Sequence, residues 1–360
     1  MSEAGEPESR RREATEVDAF ILQNVESHPG DVVRLASDRF GLSRQMVNRH
    51  MDRLVADGLL EAQGRTRGRR YVLRRTVDAH CTIGIDAGTA EDEVWRRYVA
   101  PHLAGLPRNV LQICEFGFTE IFNNVIEHSE AGKARILVQK DAVKVRLAVF
   151  DYGIGIFNKL ARDLQLVDAR FALMELLKGK LTTARDRHTG QGIYFTARAF
   201  DRFTLASGRL RFSHYREDDS FRVVVEGREY EARGTTVDMQ IAVASSTSLS
   251  DIFDRFAVPD VDGFGRTQVY VKLAGYEDEE LVSRSQARRL VARLDEFDEV
   301  ELDFERVELI GQAFADELFR VFPANHPGVR LVSRNASPAV ARMIQWAEAG
   351  RSVEQPRLPF

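Results

Sequence analysis

Glu120-Ile-Phe-Asn-Asn124-Val-Ile-Glu-His128 is the stretch on which the reading of this chain turns. It closes a helical run that starts near Val110 and carries an apolar stripe of Ile113, Phe116, Ile121, Phe122, Val125 and Ile126. Glu120 and Asn124 stand four residues apart, so a carboxylate and an amide oxygen share one helical face, one turn apart. The stripe accounts for an amphipathic helix but not for two polar groups set beside it.

Two strands follow, Ala134 to Gln139 and Val143 to Val149, and the second delivers Asp151-Tyr-Gly153-Ile-Gly155-Ile at its end. Glycines at that spacing let backbone approach a ligand closely, and an aspartate at a strand end can accept from an exocyclic amine. About forty residues later His188-Thr189-Gly190-Gln-Gly192 opens another helix, whose unpaired N–H groups can hold phosphate. The strands beyond end in Gly234-Thr235-Thr236. An aspartate-glycine turn alone is usually only a turn; four such motifs in order carry more weight.

That order, Glu-x-x-x-Asn, Asp-x-Gly-x-Gly, Gly-x-Gly before a helix, then Gly-Thr, resembles the GHKL (Bergerat) ATP-binding domain of gyrase, MutL, sensor histidine kinases and anti-sigma kinases, over about residues 84–245. The resemblance implies an α/β sandwich with ATP and Mg2+ as cofactors. On the matching positions it implies that Asn124 holds the metal and that Asp151 accepts the adenine amino group. Gly153 and Gly155 would lie against the nucleotide, the amides of Thr189, Gly190 and Gly192 would receive phosphates, and Thr235 would support Asp151. Glu120 matches the general base. Sensor histidine kinases usually have asparagine there, so glutamate favours hydrolysis or serine/threonine transfer. Residues 158–189 would form a mobile lid with Lys178, Lys180, Arg185, Arg187 and His188 as candidate phosphate-facing cations, although for each a solvated loop charge is the simpler reading. His128 reads as a helix-end contact rather than a phosphoacceptor.

The N-terminal third reads differently. After a floppy polar tail over 1–14, apolar residues at helical spacing mark three short helices. Val17, Phe20, Ile21 and Val25 serve the first, and Val32 to Phe40 the second. In the third, behind a Ser43 cap, Met46, Val47, His50, Met51, Leu54 and Val55 face inward. A hairpin with an arginine-rich tip, Gly64 to Arg70, follows. Residues 15–78 thus resemble a winged helix-turn-helix domain. Between Arg34 and Arg75 eleven arginines face four acids, so this segment is +7 and the rest of the chain, whose total is −4, carries −11. Arg44, Gln45, Asn48 and Arg49 suit base edges, and Arg65, Arg67, Arg69 and Arg70 suit phosphates or a narrow groove, which makes double-stranded DNA the expected partner. A solvated or protein-binding face is the plainer alternative.

The C-terminal third alternates strand and helix, as a small α/β layer fold does, behind an expected linker over 246–264 in which a short amphipathic piece, Leu249 to Val258, leads into Pro259 to Gly263. With Val307-Glu-Leu-Ile-Gly311-Gln-Ala-Phe at a helix start, residues 265–350 resemble a STAS-like domain of unknown function, followed by a tail over 351–360. Where anti-anti-sigma factors carry a phosphorylatable serine, Gly311, Gln312 and Ala313 stand here, so docking of a regulatory protein is the expected role. Asp316 and Glu317 read as exposed helix charges. The expected fold class is therefore multidomain α+β: winged helix, Bergerat α/β sandwich and STAS-like α/β domain.

Cys81 and Cys114 are too few and too far apart for a disulfide framework or zinc knot and read as ordinary buried thiols in a reducing compartment. No apolar run approaches a membrane span, and the N-terminus has no signal-peptide pattern, so a cytoplasmic protein without membrane contact is expected. The leading functional expectation is an ATP-controlled regulator, with hydrolysis expected, that couples nucleotide state to DNA binding. The alternatives are a serine/threonine kinase acting on a separate STAS partner and an ATPase clamp that dimerises with ATP.

Overall fold

The computed structural model describes residues 6–64, 68–166, 168–180, 191–225, 232–257, 264–275 and 279–350. Its N-terminal unit consists of α1 (Glu6–Asn24), α2 (Val32–Phe40) and α3 (Arg44–Ala56), followed by an antiparallel hairpin of β1 (Leu60–Gln63) and β2 (Arg70–Leu73). The helix α1 starts inside the stretch expected to be a floppy tail, because glutamate and arginine are good helix formers and Pro7 falls in the first turn, where its missing N–H costs nothing. Val17, Ile21, Val25, Val32, Ala36, Val47, Met51 and Leu54, closed by Leu60 and Tyr71, form a core belonging to this unit alone. Ser43 caps α3 by accepting from the Met46 N–H at 3.2 Å. The expected inward face of α3 needs correction at two positions. Val47, Met51 and Leu54 define the buried line, so Met46 falls off it and is 47% exposed. His50 is half-buried through its contact with Asp18 at 2.7 Å.

The middle of the chain runs β3 (Val77–Gly84), α4 (Glu91–Val94), α5 (Arg108–His128), β4 (Lys133–Lys140), β5 (Lys144–Asp151), α6 (Ile156–Asp163), α7 (Ala169–Lys178), α8 (Gly192–Ala199), β6 (Arg202–Gly208), β7 (Leu210–Tyr215), β8 (Ser220–Val225) and β9 (Ala232–Ala242). These strands form one antiparallel sheet in the order β3-β4-β5-β9-β6-β7-β8. One face, including Ile136, Val138, Leu147, Val149, Leu205 and Val237, is buried beneath α5, α6 and α8, giving the two-layer sandwich. Residues 77 and 78 belong to this sheet rather than to the N-terminal unit, since Val77 pairs with Lys140 and Asp78 with Gln139. Cys114 is buried in the core, where loss of water pushes its thiol up to about 12, and Cys81 is half-buried; the two are unpaired.

Beyond the sheet come α9 (Leu249–Phe256), β10 (Arg266–Tyr270), α10 (Arg284–Val291), β11 (Glu299–Asp303), α11 (Gln312–Asp316), α12 (Phe322–Asn325), β12 (Arg330–Arg334) and α13 (Pro338–Ala349), with β10, β11 and β12 in a parallel sheet. Part of the expected linker is a packed helix instead. Ile252 and Phe256 give α9 an apolar side that must be covered, and Phe253 meets Phe116 and Phe195 at ring separations of 5.6 and 4.9 Å. Residues 258–263 of that linker lie outside the described residues. Glu317, expected on the surface, is buried and accepts from Arg288 Nε at 2.8 Å. The helical turn Glu317–Val321, which continues α11, packs with it on both α10 and α13, so little of Glu317 is left to solvent. Among the described residues no helix is long and apolar enough to cross a membrane.

Candidate functional site

Helix α5, strand β5 and strand β9 converge on one cleft. Its walls include Ile121, Val125, Val149, Ile193, Leu205 and Val237, and its polar groups come from Asn124, His128, Ser129, Asp151 and Thr235. It encloses about 410 Å³ of space free of atoms, part of it open to solvent. Apolar walls with a few convergent polar groups suit a flat heterocycle that needs orientation as well as burial.

Asp151 ends β5 and is 4% exposed. Its Oδ1 accepts from the Gly153 N–H at 2.9 Å and the Thr235 N–H at 3.1 Å, and the Thr235 hydroxyl adds a further contact. Burial raises the pKa of this carboxyl above its ordinary value, and the three hydrogen bonds only partly offset that rise. Thr235 also anchors the backbone beyond the cleft, because its Oγ1 accepts from the Ile156 N–H at 3.0 Å and so fixes the start of α6.

The glycines explain why the backbone can fold this tightly. A side chain on Gly153 would collide with the Ser129 carbonyl, which accepts from the Ile154 N–H at 3.0 Å. Gly155 has a φ of 83° and faces Ser207 Oγ, itself bonded to the Gly234 carbonyl at 3.0 Å. Gly234, at φ 75°, lies directly against Asp151 and leaves no room for a Cβ.

Asn124 lines the cleft, and its Nδ2 donates to the Glu120 main-chain carbonyl at 2.8 Å, which commits the nitrogen and leaves Oδ1 as the atom available to a ligand or cation. Glu120 does not line the apolar cleft. Its carboxylate lies against Gly192, where any side chain would strike it, so it sits at the N-terminus of α8. The two polar groups flagged in the sequence are thus shared between the cleft and the start of the next helix. His128 is the last residue of α5 and contacts Glu127 at 3.6 Å.

Thr189 and Gly190 lie outside the described residues, as do Arg185, Arg187 and His188. What is described of the expected lid differs from a mobile loop. Asn158 lies in α6, and Phe171 to Lys178 of α7 are all buried. Lys178 Nζ donates to Glu175 Oε1 at 2.6 Å and to the Ala292 carbonyl at 2.7 Å, and burial lowers its pKa. Lys180 donates to the Glu296 carbonyl and stacks over Phe297 at 4.4 Å. Both cations are therefore tied to the C-terminal unit, because an apolar α7 had to be covered and β10 and its neighbours cover it.

Sequence reading missed Ser129, Ser207 and the role of Gly234, together with the walls Ile193 and Leu205. The Gly-Thr pair was a signal for Gly234; Ser207 and Leu205 are placed by strand register, and Ser129 and Ile193 by how α5 ends and where α8 packs.

Residues 89–211 match the family model of the histidine kinase-like ATPase domain. The chain carries a histidine kinase-like ATPase domain. A second match, over residues 286–341, is to the STAS-like domain of unknown function (DUF4325). No curated protein matches the chain. Within the ATPase domain the match takes in Glu120, Asn124, Asp151 and Gly192 and stops before Gly234 and Thr235, which β9 returns to the cleft.

In the N-terminal unit Arg44, Gln45, Asn48 and Arg49 are all exposed on α3. Arg70 is exposed at the start of β2, and Arg69 stacks on Tyr71 at 5.0 Å; Arg65 and Arg67 lie outside the described residues. Arg53, on the same helix, is instead bound to Asp18 of α1.

Proposed function

We propose that the chain is an ATP-binding regulator in which Asp151 reads the adenine amino group and the ATPase domain conveys nucleotide state to DNA binding by a winged helix. The observation that carries this reading is the Asp151 cradle: a buried carboxylate fixed by two backbone N–H groups, with glycines at Gly153, Gly155 and Gly234 where a Cβ would block the approach. Burial still raises the pKa of this carboxyl despite the protein donors, so a ligand amine would add a donor to a carboxylate that burial leaves short of compensation.

Asn124 Oδ1 is the candidate ligand for Mg2+, a hard cation that favours oxygen donors and would balance the triphosphate charge. Glu120 is the candidate general base, positioned at the N-terminus of α8, where the backbone N–H of Gly192 favours a phosphate oxygen. The exposed Arg44, Gln45, Asn48 and Arg49 are the candidate base-reading set, with Arg65, Arg67, Arg69 and Arg70 the candidate backbone-contacting set. A regulator is favoured over a kinase acting on its own STAS-like unit because the turn at Gly311 offers no hydroxyl and is packed against Val282. Transfer to a separate STAS protein remains the second reading, supported by glutamate at position 120.

Calorimetry with ATP and Mg2+ tests the adenine assignment. Wild type should bind, and Asp151→Asn should lose binding at least tenfold while folding as well as wild type, because it removes a carboxylate that burial disfavours. Since Asp151 has a raised pKa, binding should also weaken on acidification at a pH above that expected for an ordinary carboxylate near 3.8. Phosphate release abolished by Glu120→Ala with ATP binding retained would identify the base. An Asp151→Asn variant that binds ATP normally would end this reading of the cleft.

A further inference from the structure

The helices cover one face of the seven-stranded sheet; the opposite face is a surface of its own. Strand register places its residues in three rows. Thr82, Arg135, Phe150, Thr236, Ala206, Arg211 and Val224 stand opposite one another across β3 to β8. Two residues along are His80, Leu137, Ala148, Asp238, Thr204, Ser213 and Arg222, and two further along are Asp78, Gln139, Arg146, Gln240, Arg202 and Tyr215. Partners directly opposite point to the same side of a sheet, so these rows form one face. Arg135, Arg202 and Arg222 are exposed on it, as is Val224 at 44%.

The chain outside its basic N-terminal segment carries −11, yet this face is rich in arginine. Its two acids are already engaged: Asp238 with Arg146 Nε at 2.6 Å, and Asp78 with Arg75 at 2.8 Å and Gln139 at 2.9 Å. Arg135, Arg202 and Arg222 have no carboxylate within salt-bridge distance among the described residues. They are held instead by rings, Arg135 over Phe150 at 6.0 Å and Arg202 and Arg222 over Tyr215 at 5.5 and 5.3 Å. Stacking of this kind fixes a guanidinium plane while leaving its N–H donors to meet phosphate. The middle of the face is small or hydroxyl-bearing, with Ala206 and Thr236 half-buried and Ala148 and Thr204 buried beneath their longer neighbours, and it offers few large apolar anchors of the sort a protein partner fills. Five strand spacings separate Arg135 from Arg222, roughly 24 Å.

We propose that this open sheet face binds the sugar–phosphate backbone of duplex DNA through Arg135, Arg202 and Arg222, independently of base sequence. The face is continuous with the N-terminal unit, since Thr76 N–H donates to the Lys140 carbonyl at 2.8 Å and Arg75 pairs with Asp78 on its border. The choice of duplex DNA rests on the winged-helix reading above; the attraction for a polyanion does not.

The test is the salt dependence of binding to a mixed-sequence duplex, measured by fluorescence anisotropy on the full chain. Arg135→Gln, Arg202→Gln and Arg222→Gln combined should weaken binding and reduce the slope of log K against log salt by about 2 to 3, since each phosphate contact contributes about 0.9. ATP affinity should stay unchanged, because none of the three lines the cleft. An unchanged slope in the triple variant overturns the proposal. Arg44→Gln with Arg49→Gln separates the two readings. If that pair leaves binding intact and only the triple variant lowers the slope, the sheet face stands and the winged-helix reading falls; if only the pair weakens binding, the winged helix stands and the sheet face falls. Equal competition by polyglutamate at matched charge would replace DNA by an acidic protein and overturn the choice of partner.

Discussion

The ATPase domain is joined to its two neighbours in opposite ways. Toward the N-terminal unit the seam is polar and thin: the Thr76 to Lys140 backbone bond, Arg75 with Asp78, and Lys144 with Glu26 at 2.6 Å, all largely exposed, while the two sides keep separate cores. Toward the STAS-like unit the core is continuous. Tyr194 and Phe195 of α8 meet Phe264 at 4.9 and 5.1 Å, and Phe221 of β8 meets Tyr270 at 3.7 Å. Through that apolar seam run buried hydrogen bonds: Thr267 Oγ1 to the Lys178 carbonyl at 2.7 Å, and Arg198 to Gln268 Oε1 at 3.3 Å, with Gln268 passing its own amide to Asp303 at 3.2 Å. Asp219 adds a rim, receiving Arg255 and Arg334, each at 2.8 Å; burial pushes its carboxyl up, but these bonds and one to His214 outweigh that and hold it well below the usual range. A sequence-level boundary can thus mark either a hinge or the middle of one core.

The largest test of this contrast is truncation. A chain ending at residue 257 should lose cooperative unfolding and aggregate, because α7 and α8 lose their apolar cover, whereas a chain beginning at Thr76 should keep ATP binding and a single sharp transition by calorimetry. Next comes Phe264→Ala, which removes a ring packed on Tyr194, Phe195 and Phe297 and should cost about 3–5 kcal/mol in urea titrations, with both units unfolding together. Two separate transitions would break the claim of a shared core. Gln268→Leu leaves the buried Arg198 guanidinium and Asp303 each short of a partner and should cost about 1–3 kcal/mol. Smallest is Lys144→Ala, expected within about 1 kcal/mol and erased by salt, as exposed pairs are. A larger effect would mean that the N-terminal seam is firmer than its contacts indicate.

Much of this architecture was legible because it is local. The α5 stripe, the strand ending in Asp151 and the glycine pairs follow from spacing within a few residues, and so do Ser43 as a cap and Gly41, at φ 65°, as a helix stop. What was not legible depends on partners far along the chain. Residues 169–178 resemble a lid because they lie between two glycine motifs, and only the arrival of β10 and Ala292 turns them into core. Glu317 reads as a surface charge until Arg288 and the neighbouring helices enclose it. Ser207 reaches the site because β6 pairs antiparallel with the distant β9, which sets it opposite Thr235, a pairing that no pattern of apolar residues encodes.

The burial of α7 also sets a timetable. Phe171 to Lys178 leave the ribosome roughly 90 residues before β10 and roughly 115 before Ala292, the parts that come to cover them, which at about 5–20 residues per second is on the order of 5–20 seconds of synthesis. For that interval an apolar helix of a nearly finished ATPase domain has no cover, and the nascent chain offers chaperones a defined place to hold.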